Sequence, residues 1–336
     1  MTIEATLASE LNLNPRFVQN TIALLDEGNT VPFVARYRKE ATGEMDDQTL
    51  RKLADRLTYL RGLAQRKEEV RTAIEGQEKL TDEIVQALES AKTLAEVEDI
   101  YRPYKQKRKT RASVARARGL GPLAQQIMLQ TPGEDPAELA GAYVNEELEV
   151  ADTLAAIAGA SDIIAEDISD DATIRAALRR FYMGNAHITS KAAKEEDSVY
   201  ANYYEYEEPL ARVQHHRILA LDRGEREGFL KVAVTANAEK ALEIIHKATL
   251  ENDSPCAQLV RAAGEDSYAR LLHPSLEREM RSTLSEAAAE GAIAVFAQNL
   301  RQLLLQPPIK GKVALGLDPG YRMGCKTAVV DPTGKV

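Results

Sequence analysis

The sequence lacks several features on which common classes of protein depend. It contains no tryptophan, only two cysteines and 5% aromatic residues. Cys256 and Cys325 are far apart and lack the close spacing of zinc ligands, so the sequence favours neither a disulfide framework nor a zinc site. We expect both cysteines to be small buried hydrophobic residues in a protein of a reducing compartment.

Long apolar runs and two familiar catalytic motifs are also missing. No stretch approaches the roughly 20 apolar residues of a transmembrane helix, and no early apolar run is flanked like a signal peptide. No glycine-rich loop ends in Lys-Ser or Lys-Thr, and no GxSxG sequence occurs. These absences predict a cytoplasmic protein without a membrane partner, and they remove support for nucleotide hydrolysis and acyl transfer.

Charge is distributed unevenly along the chain. The net charge is -9, yet residues 102–118 contain eight Lys or Arg and no acid, which leaves -17 for the rest of the chain. Such a segment can neutralise nucleic-acid phosphates, or it can be paired with acidic helices of its own fold or with a protein partner. Its basic residues are Arg102, Lys105, Lys107, Arg108, Lys109, Arg111, Arg116 and Arg118.

Tyr101 and Tyr104 favour the nucleic-acid interpretation of this basic segment. Aromatic rings interleaved with cations can stack on unpaired bases. The segment has few Asn or Gln side chains to read base edges, so we expect weak binding through phosphates that is insensitive to sequence. We therefore predict RNA as the partner of these ten residues, with single-stranded or duplex DNA as alternatives.

Apolar residues recur with helical spacing through most of the chain. Leu7 and Leu11, a turn at Asn12 and a second helix opened by Pro15 have helix-turn-helix spacing. The second helix offers DNA only Arg16, Gln19 and Asn20, so a structural or docking role is favoured over base reading. A long helix of roughly 40 Å is predicted from Asp46–Asp47 to Ile74.

Further helices and one hairpin are predicted downstream. Thr93 and Glu96 form a capping box ahead of a helix that Pro103 ends. Leu139, Leu154, Leu178 and others predict the buried stripe of helices between residues 120 and 182. Residues 217–234 change to a strand-like period around a glycine turn, which predicts a β-hairpin. A last long helix is predicted from Pro274 to Leu305, with Val295 and Leu304 on its apolar stripe.

Two clusters of side chains resemble binding sites but have simpler interpretations. Four tyrosines lie between residues 200 and 206, where neighbouring acids would repel phosphate, so packing is favoured over base stacking. His215 and His216 are expected in a strand, where adjacent side chains point to opposite faces and cannot readily chelate one metal ion.

The last residues predict two β-strands. Val313, Leu315 and Leu317 alternate with small or polar residues, Pro319-Gly320 predicts a turn, and residues 327–331 begin a second strand. Asp318 ends the first strand, where a hydrated cation could approach its carboxylate. Because two-metal cleavage needs carboxylates from several elements, a structural turn is favoured for this lone aspartate, and no cofactor is predicted for this chain.

Four segments together resemble the Tex family of bacterial RNA-binding transcription accessory proteins. They are TVPFVARYRKEATGEMDD at 30–47, EDIYRPYKQKRKTRASVARARGLGPLA at 98–124, HRILALDRGEREG at 216–228 and LGLDPGYRMGCKTAVVD at 315–331. The resemblance implies an N-terminal helical region with a helix-turn-helix, a YqgF-type ribonuclease H-like domain, helix-hairpin-helix units and a C-terminal OB-fold RNA-binding domain. It also implies that this chain is an N-terminal fragment, and that Asp318 is a metal ligand in the complete domain.

The sequence and the resemblance together predict a mostly α-helical fold in three parts. Residues 1–190 form a helical region with a helix-turn-helix and a long helix, residues 191–306 form an α+β region with a hairpin and a long helix, and residues 309–336 are the first strands of a truncated ribonuclease H-like α/β domain. The predicted function is a non-catalytic scaffold of an RNA-binding transcription accessory protein.

Two alternative functions stay open. In the first, the parent protein is a metal-dependent nuclease or resolvase, in which Asp318 and Mg²⁺ act only in the complete domain. In the second, the chain is a protein-docking scaffold whose basic segment meets RNA polymerase or ribosomal components.

Overall fold

A computed structural model of the chain describes residues 2–194, 196–307, 311–320 and 324–336. The described part is mostly helical, with a three-stranded and a two-stranded antiparallel sheet. The helices up to the first strand are α1 (Ile3–Glu10), α2 (Pro15–Asp26), α3 (Val31–Tyr37), α4 (Lys39–Thr42), α5 (Asp47–Glu75), α6 (Asp82–Ser90), α7 (Leu94–Tyr101), α8 (Arg111–Ala117), α9 (Gly121–Met128), α10 (Pro136–Gly141), α11 (Thr153–Asp170) and α12 (Ala172–Asn185). The later elements are β1 (His187–Ala192), β2 (Glu205–Pro209), α13 (His215–Arg226), β3 (Leu230–Thr235), α14 (Ala238–Thr249), α15 (Pro255–Asp266), α16 (His273–Leu304), β4 (Ala314–Gly320) and β5 (Gly324–Val330).

The chain divides into two compact units that do not follow its order. The first unit comprises residues 1–181 and 237–275, and the second comprises residues 182–236 and 276–336. The predicted domain boundaries, by contrast, are continuous along the chain. Residues 237–275 therefore belong with the N-terminal helices, because α14 and α15 pack there: α15 contacts α9 and α11.

The first helices of the first unit begin where the sequence predicts. Asn12 has a left-handed φ of 51° between α1 and α2, and Asn14 caps α2 ahead of Pro15. The Asp46 carboxylate accepts a hydrogen bond of 2.7 Å from the Thr49 backbone N–H, which satisfies one of the free donors at the start of α5. The long α5 is thus confirmed, and at 1.5 Å per residue its 29 residues span about 44 Å.

Two apolar clusters stabilise this region. The first is built from α1 to α5 around Leu7, Val18 and Leu53. The second surrounds Val70, Ile74 and Val97 at the far end of α5. Since α5 contributes to both clusters, it is the common support of the N-terminal helices.

A buried ion pair network connects α7 with α12. Thr93 and Glu96 form the predicted capping box, which starts α7 and leaves Asp99 facing inward. The Asp99 carboxylate accepts hydrogen bonds of 2.7 Å from both Arg175 and Arg179. Because Asp99 and Arg175 are buried, removal of either one would leave an uncompensated charge in the core.

Helix α11 forms the centre of the rest of the first unit. Its small and branched residues Ala156, Ala160, Ile163, Ile164 and Ile168 are buried. This face packs against α8, α9, α10 and α15. The helix also contacts the turn Arg102–Tyr104, so its polar side lies beside the basic segment. Leu154 was predicted in a buried stripe, which is wrong: it is 74% exposed in the first turn of α11, two positions before the first buried residue, Ala156.

In the second unit, β1 is the central strand of the sheet β2-β1-β3. Its antiparallel partners are aligned as His187 with Pro209 and His187 with Thr235. The tyrosines near β2 pack as predicted: the buried Tyr200 ring lies 5.8 Å from the Phe229 ring, and its hydroxyl donates to Glu227.

The hairpin predicted for residues 217–234 is wrong. Residues 215–226 form α13, and only the second half is a strand, β3. The glycine that suggested a turn, Gly224, lies inside the helix, where a Cβ atom would be 2.5 Å from Leu230 and 3.1 Å from Tyr200. The turn is at Gly228, whose φ is 76°. His215 and His216 consequently begin a helix and do not lie in a strand.

The last helix and the last strands depart from the prediction in their burial. Leu276 and Met280 of α16 are buried, but Val295 and Leu304 are 58% and 74% exposed. In β4 and β5 every residue except Val330 is exposed. Cys325 in β5 is therefore exposed and was wrongly expected to be buried, whereas Cys256 is buried.

The turn predicted at Pro319-Gly320 is also wrong. Both residues belong to β4, where Pro319 pairs with Cys325 and Gly320 with Gly324. Proline has no backbone N–H to donate. It is tolerated in β4 because this strand lies at the edge of a two-stranded sheet, where that N–H is not needed to bond a neighbouring strand. The connection at residues 321–323 lies outside the described residues.

Candidate nucleic-acid interface

The basic segment, residues 102–118, has three structural parts. A 3₁₀ turn over Arg102–Tyr104 follows α7, and Pro103 supplies the fixed φ of its first turn. Residues 105–109 are exposed and belong to no helix or strand. Thr110 and Ser113 then form a capping box that starts α8, with Thr110 Oγ1 accepting a 3.0 Å hydrogen bond from the Ser113 N–H. The loop is thus held at both ends by locally specified elements.

Three cations of the basic segment pair with acids of the same unit. Lys107 Nζ contacts the carboxylates of Asp170 and, at 3.5 Å, Glu166. Arg116 pairs with Asp167. We call Lys107, Arg116 and the third member, Arg118, the paired cations.

Arg118 completes the paired cations at the edge of the segment. Its guanidinium donates a 2.6 Å hydrogen bond to Glu149, and this bond lowers the pKa of the Glu149 carboxyl below its usual value. Glu149 is exposed, so the ion pair is screened by solvent and contributes little to stability.

Asp170, the partner of Lys107, has a pKa shifted by its surroundings. Its carboxyl is buried at the end of α11, and burial raises its pKa above the usual value because the charged form loses hydration. The Lys107 ammonium opposes this effect, as does the charge of Arg102. Lys107 is therefore a structural residue that compensates a buried carboxylate.

Arg102 is half-buried in the 3₁₀ turn, and four further cations of the segment are exposed. Lys105, Arg108, Lys109 and Arg111, which we call the exposed cations, form no side-chain hydrogen bond or ion pair within the part of the chain that the structure describes. Arg111 is the first residue of α8, where the helix dipole disfavours a positive charge. Its position is consequently not explained by helix stability. These four side chains are available to an anionic partner.

Tyr101 and Tyr104 have a packing role. Both rings are partly buried against the second apolar cluster. The Arg66 guanidinium lies 5.5 Å from the centre of the Tyr101 ring, and the Tyr104 carbonyl accepts a 2.9 Å hydrogen bond from Gln77. Base stacking by these rings stays a prediction. The exposed side chains of the segment are mostly cations and include neither aromatic ring.

Sequence reasoning missed which cations were already paired. The acids responsible, Glu166, Asp167 and Asp170, stand at helical spacing near the end of α11. That spacing was visible in the sequence and indicates one acidic side of a helix. The sequence did not indicate which cations these acids would meet, because Lys107 and Asp170 are 63 positions apart.

Asp318 lies in the exposed strand β4 opposite Lys326 of β5. Directly opposite residues of an antiparallel pair share a face of the sheet, so the cross-strand neighbour of Asp318 is the cation Lys326. Among the residues that the structure describes, no three His, Cys, Asp or Glu side chains are grouped to hold a metal ion. The predicted metal role of Asp318 in a complete domain stays a prediction.

No helix within the described ranges is long and apolar enough to cross a membrane.

Two family models match the chain. Residues 1–75 match the model described as "Tex-like protein N-terminal domain", and residues 131–296 match the one described as "Tex central region-like". The basic segment lies between the two matched ranges.

Three relatives illustrate the similarity. Protein YdcI of Bacillus subtilis (strain 168) is 48% identical over 99% of this chain and 47% of its own length. The transcriptional accessory protein Tex of Neisseria gonorrhoeae is 39% identical over 100% of the chain and 45% of its own length. The human S1 RNA-binding domain-containing protein 1 is 30% identical over 98% of the chain and 35% of its own length. The chain thus spans less than half the length of these relatives.

Proposed function

Because the chain belongs to the Tex family, we propose that it is a helical scaffold of a cytoplasmic, RNA-binding transcription accessory protein, and that it binds RNA through its exposed cations. The names of two relatives support the two halves of this proposal: one is a transcriptional accessory protein and the other an S1 RNA-binding domain protein. DNA is the alternative nucleic acid.

One observation carries the assignment to the exposed cations. The chain has a net charge of -9, and several arginines elsewhere in the first unit are paired with carboxylates, as Arg56 is with Glu10 at 2.6 Å. Lys105, Arg108 and Arg111 instead extend from one loop and the helix end beside it without such partners in the described residues. A cluster of unpaired cations attracts phosphate locally even when the net charge of the protein is negative.

The test neutralises these cations without reversing their charge. In the variant Lys105→Gln, Arg108→Gln, Arg111→Gln, we expect weaker binding of single-stranded RNA. We also expect the slope of log affinity against log salt to become shallower by about 2, since each lost phosphate contact removes about 0.7. Circular dichroism should be unchanged because all three side chains are exposed.

The matched control is Lys52→Gln, Arg71→Gln, Lys240→Gln, which removes the same charge from three exposed positions elsewhere. We expect it to keep nearly the affinity and the salt slope of the wild type. Equal losses of RNA affinity in the two triple variants would show that only the net charge of the protein matters, which would contradict the proposal.

The proposal includes the absence of nuclease activity in this chain. Asp318 has a cation opposite it, and two-metal cleavage requires carboxylates from several elements that hold two ions about 4 Å apart. Labelled single-stranded RNA, duplex DNA and a four-way junction should stay intact with Mg²⁺ or Mn²⁺. Cleavage that disappears in Asp318→Asn would favour the nuclease alternative instead.

A further inference from the structure

The surface of α3 combines exposed aromatic and basic side chains. Val34 is buried and anchors the helix on the first apolar cluster. Phe33, Arg36 and Tyr37 are spaced three and four residues apart, so they lie on one face of the helix. Arg38 and Lys39 follow directly and are exposed. We call Phe33, Arg36, Tyr37, Arg38 and Lys39 the α3 patch.

The rings and guanidinium groups of the α3 patch form one layered arrangement. The Phe33 and Tyr37 rings are 5.2 Å apart and tilted by 48°. The Arg38 guanidinium carbon lies 5.3 Å from the centre of the Phe33 ring, and that of Arg36 lies 6.0 Å from the centre of the Tyr37 ring. Tyr37 is nevertheless 59% exposed. A large aromatic ring is thus held at the surface by its neighbours and has area open to a ligand.

The cations of the α3 patch have no acidic partners in the described residues. Arg38 donates to the Tyr37 carbonyl at 3.2 Å, and neither Arg36 nor Lys39 forms an ion pair there. Arg61 of α5, by contrast, is paired with Asp26 at 2.7 Å.

Acids do lie close to the α3 patch, but two of them have other roles. Glu44, Asp46 and Asp47 line the same shallow cleft as Arg36 and Lys39. Asp46 caps α5 and Asp47 pairs with Arg51 at 2.8 Å. Only Glu44 has no such role in the described residues, so the three cations of the patch outnumber the uncommitted acids that line this cleft.

A role confined to helix stability does not explain this surface. Arg36 and Arg38 lie at the C-terminal end of α3, where cations are favoured by the helix dipole. That effect gives no reason for an exposed tyrosine ring between them, since exposed aromatic area costs hydration free energy. Stacking on a planar ligand does give one.

We propose that the α3 patch is a second nucleic-acid contact, in which one unpaired base stacks on Tyr37 while Arg36, Arg38 and Lys39 contact the flanking phosphates. Aromatic platforms flanked by cations bind single strands in this way, with little dependence on base identity. Duplexes hide their base faces, so the patch selects single strands. This inference goes beyond the proposed function, which assigns only phosphate contacts to the basic segment.

The absence of tryptophan from the chain makes a direct test possible. In Tyr37→Trp the introduced indole is the only one, and its ring still stacks. Titration with a 12-nucleotide oligoadenylate RNA at low salt should quench its fluorescence. The control is Val199→Trp, which places the only indole at an 88% exposed position among acidic residues of the second unit and should report no quenching.

Affinity measurements complete the test. Tyr37→Leu should weaken binding of the same oligonucleotide by about 5- to 100-fold, the range of one lost base stack, whereas Tyr37→Phe should keep nearly full affinity. Binding of a 12-base-pair duplex should be the same in all three proteins. Folding is checked by circular dichroism, and Tyr37 is exposed enough for each substitution to be tolerated.

The outcomes separate this inference from the proposed function. Quenching of the Tyr37→Trp indole together with normal binding by the Lys105, Arg108, Arg111 variant would overturn only the proposed use of the basic segment. Unchanged fluorescence at saturating oligonucleotide, or wild-type affinity in Tyr37→Leu, would overturn the inference about the α3 patch. Quenching by polyglutamate but not by RNA would also overturn it and assign the patch to an acidic protein partner.

Discussion

Lys107 and Arg108 are neighbours in the sequence with opposite environments. Lys107 reaches the buried carboxylate of Asp170 and lies near Glu166, whereas Arg108 is exposed and forms no ion pair in the described residues. Removal of Lys107 leaves a desolvated negative charge without its partner, while removal of Arg108 leaves nothing unsatisfied. One residue is therefore expected to affect stability and the other binding.

This contrast gives the first prediction. Lys107→Met should lower the free energy of unfolding near neutral pH by about 1–3 kcal/mol, and Arg108→Met should change it by less than about 0.5 kcal/mol. Urea denaturation followed by circular dichroism measures both. RNA affinity should show the reverse order, with the larger loss in Arg108→Met.

The effect of pH on the two variants follows from Asp170. Its pKa is raised in the folded protein, so its ionisation opposes folding, and stability falls as pH rises above the unfolded value of the carboxyl. Without Lys107 this fall should be steeper, and the loss in Lys107→Met should be smaller in mild acid than at neutral pH. A loss that does not depend on pH would show that Asp170 is not the affected group.

The second prediction concerns Tyr206, whose hydroxyl donates to Glu208 beside Arg217. Burial, followed by the hydrogen bond to the carboxylate, raises the pKa of Tyr206 to about 12. An unfolded tyrosine titrates near 10, so ionisation of Tyr206 opposes folding and stability is lost as pH rises from about 10 to about 12. Tyr206→Phe should lose less stability over this interval.

Phenolate absorbance gives the direct measurement. The difference between the titrations of the wild type and Tyr206→Phe should be a single step near 12, and Glu208→Gln should move that step to lower pH because it removes the negative charge. A step near 10 in the wild type would contradict the prediction.

At the scale of elements, glycines end two of the N-terminal helices in different surroundings. Gly28 follows α2 with a φ of 84° and has no neighbour that a Cβ atom would meet. Gly43 follows α4 with a φ of 68°, and a Cβ atom there would lie 2.4 Å from the Phe17 ring. Both positions require the left-handed conformation, but only at Gly43 is there also no space for a side chain.

The third prediction separates these two requirements. Gly28→Ala should destabilise the chain by about 1 kcal/mol through backbone strain alone. Gly43→Ala should cost about 2–4 kcal/mol, since overpacking against Phe17 adds to the same strain. Urea midpoints of the two variants test this, and equal losses would mean that Phe17 moves aside without cost.

At the scale of the whole molecule, burial ends well before the last described residue. Leu276 and Met280 are buried in the first half of α16, whereas Leu303, Leu304 and Leu305 are exposed. The strands β4 and β5 pair with each other, and all their residues but Val330 are exposed. Segments with so little packing open locally at low free-energy cost.

The fourth prediction follows from this distribution. Thermolysin, which cleaves before large apolar residues, should cut first between residues 303 and 315 and release the part that carries β4 and β5. Mass spectrometry of the early fragments identifies the sites. First cuts within α5 or α11, or hydrogen exchange in β4 as slow as in α11, would contradict the prediction.

Signals that act between near neighbours were sufficient for much of the helical architecture. Asp46 as a cap predicted the start of α5, Thr93 with Glu96 predicted that of α7, and Asn12 predicted the turn between α1 and α2. The same local reasoning was wrong at Gly224, because a glycine within a helix and a glycine in a turn look alike until the contact with Leu230 is known.

The sequence by itself determined the helical character of this protein, the ends of its main helices, the existence of the basic segment and the family resemblance, because each depends on residues that stand close together in the chain. Only the tertiary structure decided which cations of that segment are available. Pairing of Lys107 with Asp170 joins residues 63 positions apart. The exposure of Tyr37 beside Arg36 and Arg38 likewise depends on how Val34 packs. Packing between distant segments sets hydration and charge at each side chain, and no local pattern contains it.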